Sequence, residues 1–151
     1  MSIFSKAKMS TIEVFDKSKY FQEGIFIVDI KAVKIINDET FVVETCVVKA
    51  KSQHEEAPME GQTAAHIWKV DNKYQMHMKT WMGFLTAALG CGVDTYSDAK
   101  WIEIAEEIVD ENGLAGIQMF LEVVNTVTKK GNDFTVHNWK RQATEKDHEL
   151  F

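Results

Sequence analysis

Residues 24–52, GIFIVDIKAVKIINDETFVVETCVVKAKS, decide the fold. Two runs rich in β-branched residues, 25–36 and 40–52, flank the turn cluster Asn37-Asp38-Glu39. In the first run Phe26, Val28, Ile30 and Ala32 share one face, and Asp29, Lys31 and Val33 the other, because side chains alternate along a strand. In the second run Val42, Cys46 and Val48 alternate against Phe41, Val43, Thr45 and Val47. Apolar residues on both faces of this second run mark a central strand. Two such runs around a tight polar turn predict an antiparallel hairpin.

The pattern continues outward from this hairpin. A polar loop, 52–62, holds the single proline, Pro58, and precedes a third strand, TAAHIWKV (63–70). On it His66, Trp68 and Val70 point one way, and Ala65, Ile67 and Lys69 the other. Asp71 or Asn72 is a plausible N-cap for a helix through residue 89, whose stripe is Tyr74, Met78, Trp81, Met82, Leu85 and Leu89, with Gly90 as its stop. Ser97 or Asp98 caps a second helix with stripe Trp101, Ile104, Ala105 and Ile108, ended by Gly113. A fourth strand, GIQMFLEVVNTVTKK (116–130), alternates Ile117, Met119, Leu121 and Val123 with Gln118, Phe120, Glu122 and Val124. The turn Lys130-Gly131-Asn132-Asp133 leads to a fifth, FTVHNWKR (134–141). The reading is an N-terminal arm over 1–20, one domain over 21–141 and an acidic C-terminal tail over 142–151. The tail is expected to fray.

The order β-β-β-α-α-β-β predicts a mostly β fold with helices: a five-stranded OB-fold barrel with a helical insertion between strands 3 and 4. An α+β sheet with helices on one face is the alternative. The barrel is favoured because closure removes the exposed edges of short strands.

Composition narrows the function. At 151 residues, 45% apolar and 26% charged, the chain suits one globular domain. No apolar run approaches the roughly 18 residues of a membrane helix, and the first 15 residues lack a signal-peptide apolar core. A cytoplasmic location is expected, with Cys46 and Cys91 as free thiols. The five histidines show no metal-ligand spacing, so neither metal nor cofactor is expected. GxGxxG, P-loop, GxSxG and HExxH patterns are absent, and no enzymatic activity is expected. Glu103, Glu106, Glu107, Asp110 and Glu111 have the carboxylate density of a metal nuclease. Helical spacing instead spreads them over the solvated side of an amphipathic helix.

The net charge of −6 argues against a nucleic-acid partner until its distribution is considered. Residues 94–112 alone carry −6, the 54–60 loop −3 and the tail −2, which leaves the strand-like segments net basic. Single strands are held by aromatic platforms and by lysines that follow the phosphates. Candidate positions are Lys31 and Lys34 on the first strand, Lys49 and Lys51 on the second, and His66, Trp68 and Lys69 on the third. Phe120 lies on the fourth strand, Lys129 and Lys130 at the turn, and His137, Trp139, Lys140 and Arg141 on the fifth. A lone strand tryptophan such as Trp68 fits the core somewhat better than an exposed position, and Trp139, near the chain end, fits either. Tyr74, Trp81 and Trp101 fit helical stripes and are assigned to the core.

FQEGIFIVDIKAVKI, TFVVETCVVKAKS, KTWMGFLTAALG and GIQMFLEVVNTVTKKGNDFTVHNWKR together resemble phage OB-fold single-stranded DNA-binding proteins, over about residues 20–141. The resemblance rests on the spacing of glycines, β-formers and aromatics. It implies a protein that coats single-stranded DNA in phage replication or recombination, using Trp68, Lys69, Phe120, Lys129, Lys130, Trp139 and Lys140. The end, EKDHELF, is loosely similar to the acidic, phenylalanine-terminated tail by which bacterial single-stranded DNA-binding proteins recruit partners, but it is short and contains Lys146. Sixteen lysines against one arginine, Arg141, favour point contacts to phosphate over bidentate base reading. The expected activity is sequence-independent single-stranded DNA binding by a homodimer or larger oligomer. Replication or recombination proteins are possible further partners. The alternative is an adaptor that binds another protein through its sheet face.

Overall fold

The computed structural model describes residues 19–36, 40–69, 75–127, 129–131 and 133–151. The strands are β1 (Lys19–Tyr20), β2 (Gly24–Ile36), β3 (Thr40–Lys51), β4 (Thr63–Lys69), β5 (Gln118–Val127) and β6 (Asp133–Gln142). The helices are α1 (Gln75–Leu89), α2 (Asp98–Asp110) and the short α3 (Glu145–His148), with a 3-10 turn at Val93–Thr95. The 37–39 turn, the proposed caps Asp71 and Asn72, and most of the N-terminal arm lie outside the described residues.

The five expected strands and two helices form in the expected order, but the sheet has six strands. Its spatial order is β1-β4-β3-β2-β5-β6. β3 and β2 occupy the middle of the sheet, and β2 pairs antiparallel with both β3 and β5. The extra strand lies within the segment read as an arm. Lys19 and Tyr20 run parallel to β4, opposite Ala64 and Ala65. They take the edge of β4 that a fifth strand would need to complete a hydrogen-bonded barrel. The expected closure by a backbone ladder is therefore not what the described residues show; the sheet is open and mixed.

It is nonetheless strongly coiled. Strands β4 and β6 are four steps apart, which in a flat sheet is about 19 Å. Yet the rings of His66 on β4 and His137 on β6 stack with centroids 3.7 Å apart. The β2–β3 ladder shifts register between Ile27 and Val28 and again between Ile30 and Ala32. Such bulges sharpen twist and bend. At the start of β2, Gly24 has φ +153°, and a Cβ there would lie 2.6 Å from the Lys51 carbonyl oxygen. Only glycine fits this approach.

The core fills the concave side. Phe26, Val28, Ile30 and Val33 of β2 meet Phe41, Val43 and Val47 of β3 and Met119, Leu121 and Val123 of β5. Helix α1 lays Trp81, Phe84, Leu85 and Ala88 onto them. Phe84 packs edge-on to Trp139 at 5.0 Å, and Trp81 stacks on Phe41 at 4.1 Å. These contacts bear out the core reading of Trp81. Trp101, also buried, bears out the stripe of α2. The N-cap of α2 is Ser97, as expected, but its left-handed end falls on Asn112 (φ 53°) and not on Gly113. Asparagine tolerates that conformation, and its amide donates to the Lys31 carbonyl at 2.9 Å, tying the helix end to the β2 bulge.

Candidate nucleic-acid interface

The nominated residues separate into two groups, one inside the molecule and one outside. The inner group is the seam between β4 and β6. His66, Trp68, His137 and Trp139 converge there, together with Phe21. The Trp139 indole N–H donates to His66 Nδ1 at 3.0 Å, which leaves that nitrogen as an acceptor. Burial, and then the neighbouring His137, push the His66 pKa well below its ordinary value. Burial lowers that of His137 to about 4. Both imidazoles are therefore neutral at pH 7, so the seam is an uncharged aromatic stack. Trp68 is 8% exposed and Trp139 7%, and the Trp68 Nε1 has no hydrogen-bond partner among the described residues. These rings, expected as open platforms, present no face to solvent here. Alternation put His66 and Trp68 on one face of their strand, but it could not tell a groove from an interior.

The outer group lies on the convex face. The strand registers align Lys49 with Ile27, Ile27 with Phe120, and Phe120 with Arg141. Directly paired residues point to the same side of a sheet, so these four side chains form one row across β3, β2, β5 and β6. The guanidinium of Arg141 sits 5.2 Å from the centre of the Phe120 ring. Phe120 too is buried, at 6% exposure, contrary to its expected role as an exposed platform.

The C-terminal segment is what engages this row. The tail, expected to fray, folds into α3 and docks. Thr144 and Asp147 form a reciprocal capping box, and the Asp147 carboxylate accepts hydrogen bonds from both Nε and Nη2 of Arg141. The Asp147 side chain is buried. Burial alone would raise its pKa, but hydrogen bonds from Arg141 and Thr144 outweigh that and hold it below its ordinary value. Lys49 Nζ donates to the His148 carbonyl at 3.3 Å and Lys51 Nζ to the Leu150 carbonyl at 3.4 Å. The side chain of His148 lies 3.2 Å from that of Gln118. Three nominated cations thus meet oxygen atoms of the tail.

The remaining candidates scatter. Lys34 pairs with Glu44 at 3.2 Å and Lys140 with Glu122 at 3.6 Å. Lys31 is exposed at the β2 bulge, while Lys129 and Lys130 are exposed at the β5–β6 turn, beyond the other end of the β2–β5 ladder. None of these three has an ion-pair partner among the described residues. The side chain of Lys69 lies outside the described residues. No protein-family model matches the chain, and no curated protein matches it. Among the described residues no group of three His, Cys, Asp or Glu side chains could hold a metal ion, and no helix is long and apolar enough to cross a membrane.

Two participants were not nominated from sequence. Phe21, which follows β1, inserts against Phe26, His137 and Trp139, and nothing local marks it. Asp147 was legible: Thr144-x-x-Asp147 is a capping-box pattern and announces a helix turn where a frayed end was expected.

Proposed function

We propose that this chain is a non-enzymatic, sequence-independent single-stranded DNA-binding protein of OB topology, acting in phage DNA replication or recombination. The observation that carries the reading is the Lys49–Ile27–Phe120–Arg141 row with Lys51 beside it, engaged by a carboxylate and two carbonyls of the chain's own acidic end. Such a surface holds a chain of oxygen ligands over an aromatic ring, and a phosphate backbone offers the same chemistry. The strand order supports the fold assignment. With β2 to β6 as the five strands, the first pairs with the second and fourth, and both main helices fall between the third and fourth, as in an OB-fold. In that topology the loop between the last two strands borders the oligonucleotide, and here it carries Lys129 and Lys130. The cations are nearly all lysine, so binding rests on counterion release and little on base identity.

In this reading the tail and DNA compete for one surface. The test is anisotropy of labelled oligo(dT) with the full chain and with a chain ending at Ala143, at several salt concentrations. The shortened chain frees Lys49, Lys51 and Arg141, so it binds more tightly. Its log–log salt slope steepens by about 2, at about 0.7 per phosphate neutralised on a single strand. Asp147→Asn, which keeps the chain length, shifts binding in the same direction by less. No binding by either form at about 100 µM protein and low salt ends the proposal.

The alternative reading, an adaptor whose sheet face binds another protein through the Trp68 and Phe120 region, loses its apolar contact because both rings are buried. A complex that survives nuclease and high salt would support it over the first.

A further inference from the structure

We propose that the groove between α1 and α2 is a docking site for a basic, apolar-anchored peptide segment of another protein. The groove has a volume of about 510 Å³. Its floor holds the buried rings of Trp81 and Trp101, and its walls include Val93, 55% exposed, and Ile102, 62% exposed. The floor is preformed. The Trp101 indole N–H donates to the Val93 carbonyl at 2.8 Å, and Tyr96 packs edge-on to that ring at 5.2 Å. A rigid aromatic floor with exposed aliphatic walls has the character of an interaction site. These walls are not part of the core: Val93 and Ile102 lie outside the buried cluster that holds Trp101 and Ile108.

Charge fixes the class of occupant. Asp98 and Glu106 also line the groove, and neither is ion-paired among the described residues. The one cation of α2, Lys100, is already bound to Glu103 at 3.4 Å. A negative rim over an apolar floor repels phosphates and attracts lysine or arginine flanking a large apolar side chain. An amphipathic helix or short strand with that composition fits. This groove lies between the helices, apart from the tail-covered convex face, so the inference stands independently of DNA binding.

The experiment titrates the full chain into a short fluorescein-labelled peptide of lysines with leucines at i, i+4 spacing. Matched peptides replace the leucines by serine or the lysines by glutamate. Saturable binding of the first peptide, with each matched peptide and each of the exposed-site variants Ile102→Ser and Glu106→Lys weaker by about tenfold or more, supports the proposal. Circular dichroism and thermal melting establish that both variants fold. Equal binding of the serine-substituted peptide reduces the effect to charge alone and overturns it. So does unchanged binding by Ile102→Ser, or no binding up to about 1 mM peptide. Self-association that Ile102→Ser abolishes, with no peptide binding, would assign the groove to a second copy of this chain and likewise overturn the proposal. Loss of oligo(dT) binding with peptide binding intact would refute only the DNA reading.

Discussion

Acidification should open the molecule at the β4–β6 seam. In the unfolded chain a histidine titrates near 6.5, whereas His137 in the folded protein titrates at about 4. Between those values the unfolded chain binds a proton that the folded one does not. Stability is therefore full above about pH 6.5, falls as pH drops through the interval, and reaches its lower level near pH 4. The interval is worth about 3 kcal/mol from His137 alone, at about 1.4 kcal/mol per pH unit. His66 is buried more deeply and shifted in the same direction, so it adds to the loss. Because the two rings stack at 3.7 Å, protonating one hinders protonating the other, and the pair titrates as a unit. Small domains are held by about 5–15 kcal/mol, so the loss is a large share. The measurement is equilibrium urea unfolding followed by tryptophan fluorescence, at steps from pH 7 to pH 4, for the wild type and for His137→Gln. The wild type should lose about 3 kcal/mol more than the variant over that range. Asp147, whose lowered pKa also favours neutral pH, is common to both proteins and cancels. Parallel pH profiles would refute the argument, and so would a wild type that gains stability on acidification.

Three further outcomes follow from the packing and the charge layout. Gly24→Ala places a Cβ against the Lys51 carbonyl and the Ser52 side chain, and should cost on the order of 1–3 kcal/mol in urea unfolding; no loss would mean that the β2–β3 junction is looser than described. Phe84→Ala removes a fully buried ring between α1 and Trp139 and should cost about 3–5 kcal/mol, lowering the melting temperature. Lys129→Ala with Lys130→Ala touches two exposed side chains, so it should leave the melting temperature unchanged and, if the proposed DNA binding holds, reduce the oligo(dT) salt slope by about 1. An unaltered slope would remove the β5–β6 turn from the DNA path.

Much of the fold was legible because it is written in local periodicity. The two-residue alternation of 25–36, 40–51 and 118–127 gives the long strands, and the stripes Trp81–Leu85 and Trp101–Ile108 give the helices. The candidate site was legible only in part. Lys49, Phe120 and Arg141 were nominated separately, and only the registers align them in one row. Trp68 and Trp139 were nominated for the binding face, yet Phe41 and Trp81 pack against Trp68, and Phe21 and Phe84 against Trp139.

By itself, then, the sequence determined which segments are strands or helices and in what order, since those follow from side chains a few residues apart. Tertiary structure alone decided that Lys19–Tyr20 takes the edge of β4, that the sheet coils until His66 meets His137, and that the last eight residues dock on the convex face. Each of these joins residues tens of positions apart. Their energies depend on which surfaces remain unpaired after the local elements form, and no short window of sequence contains that information.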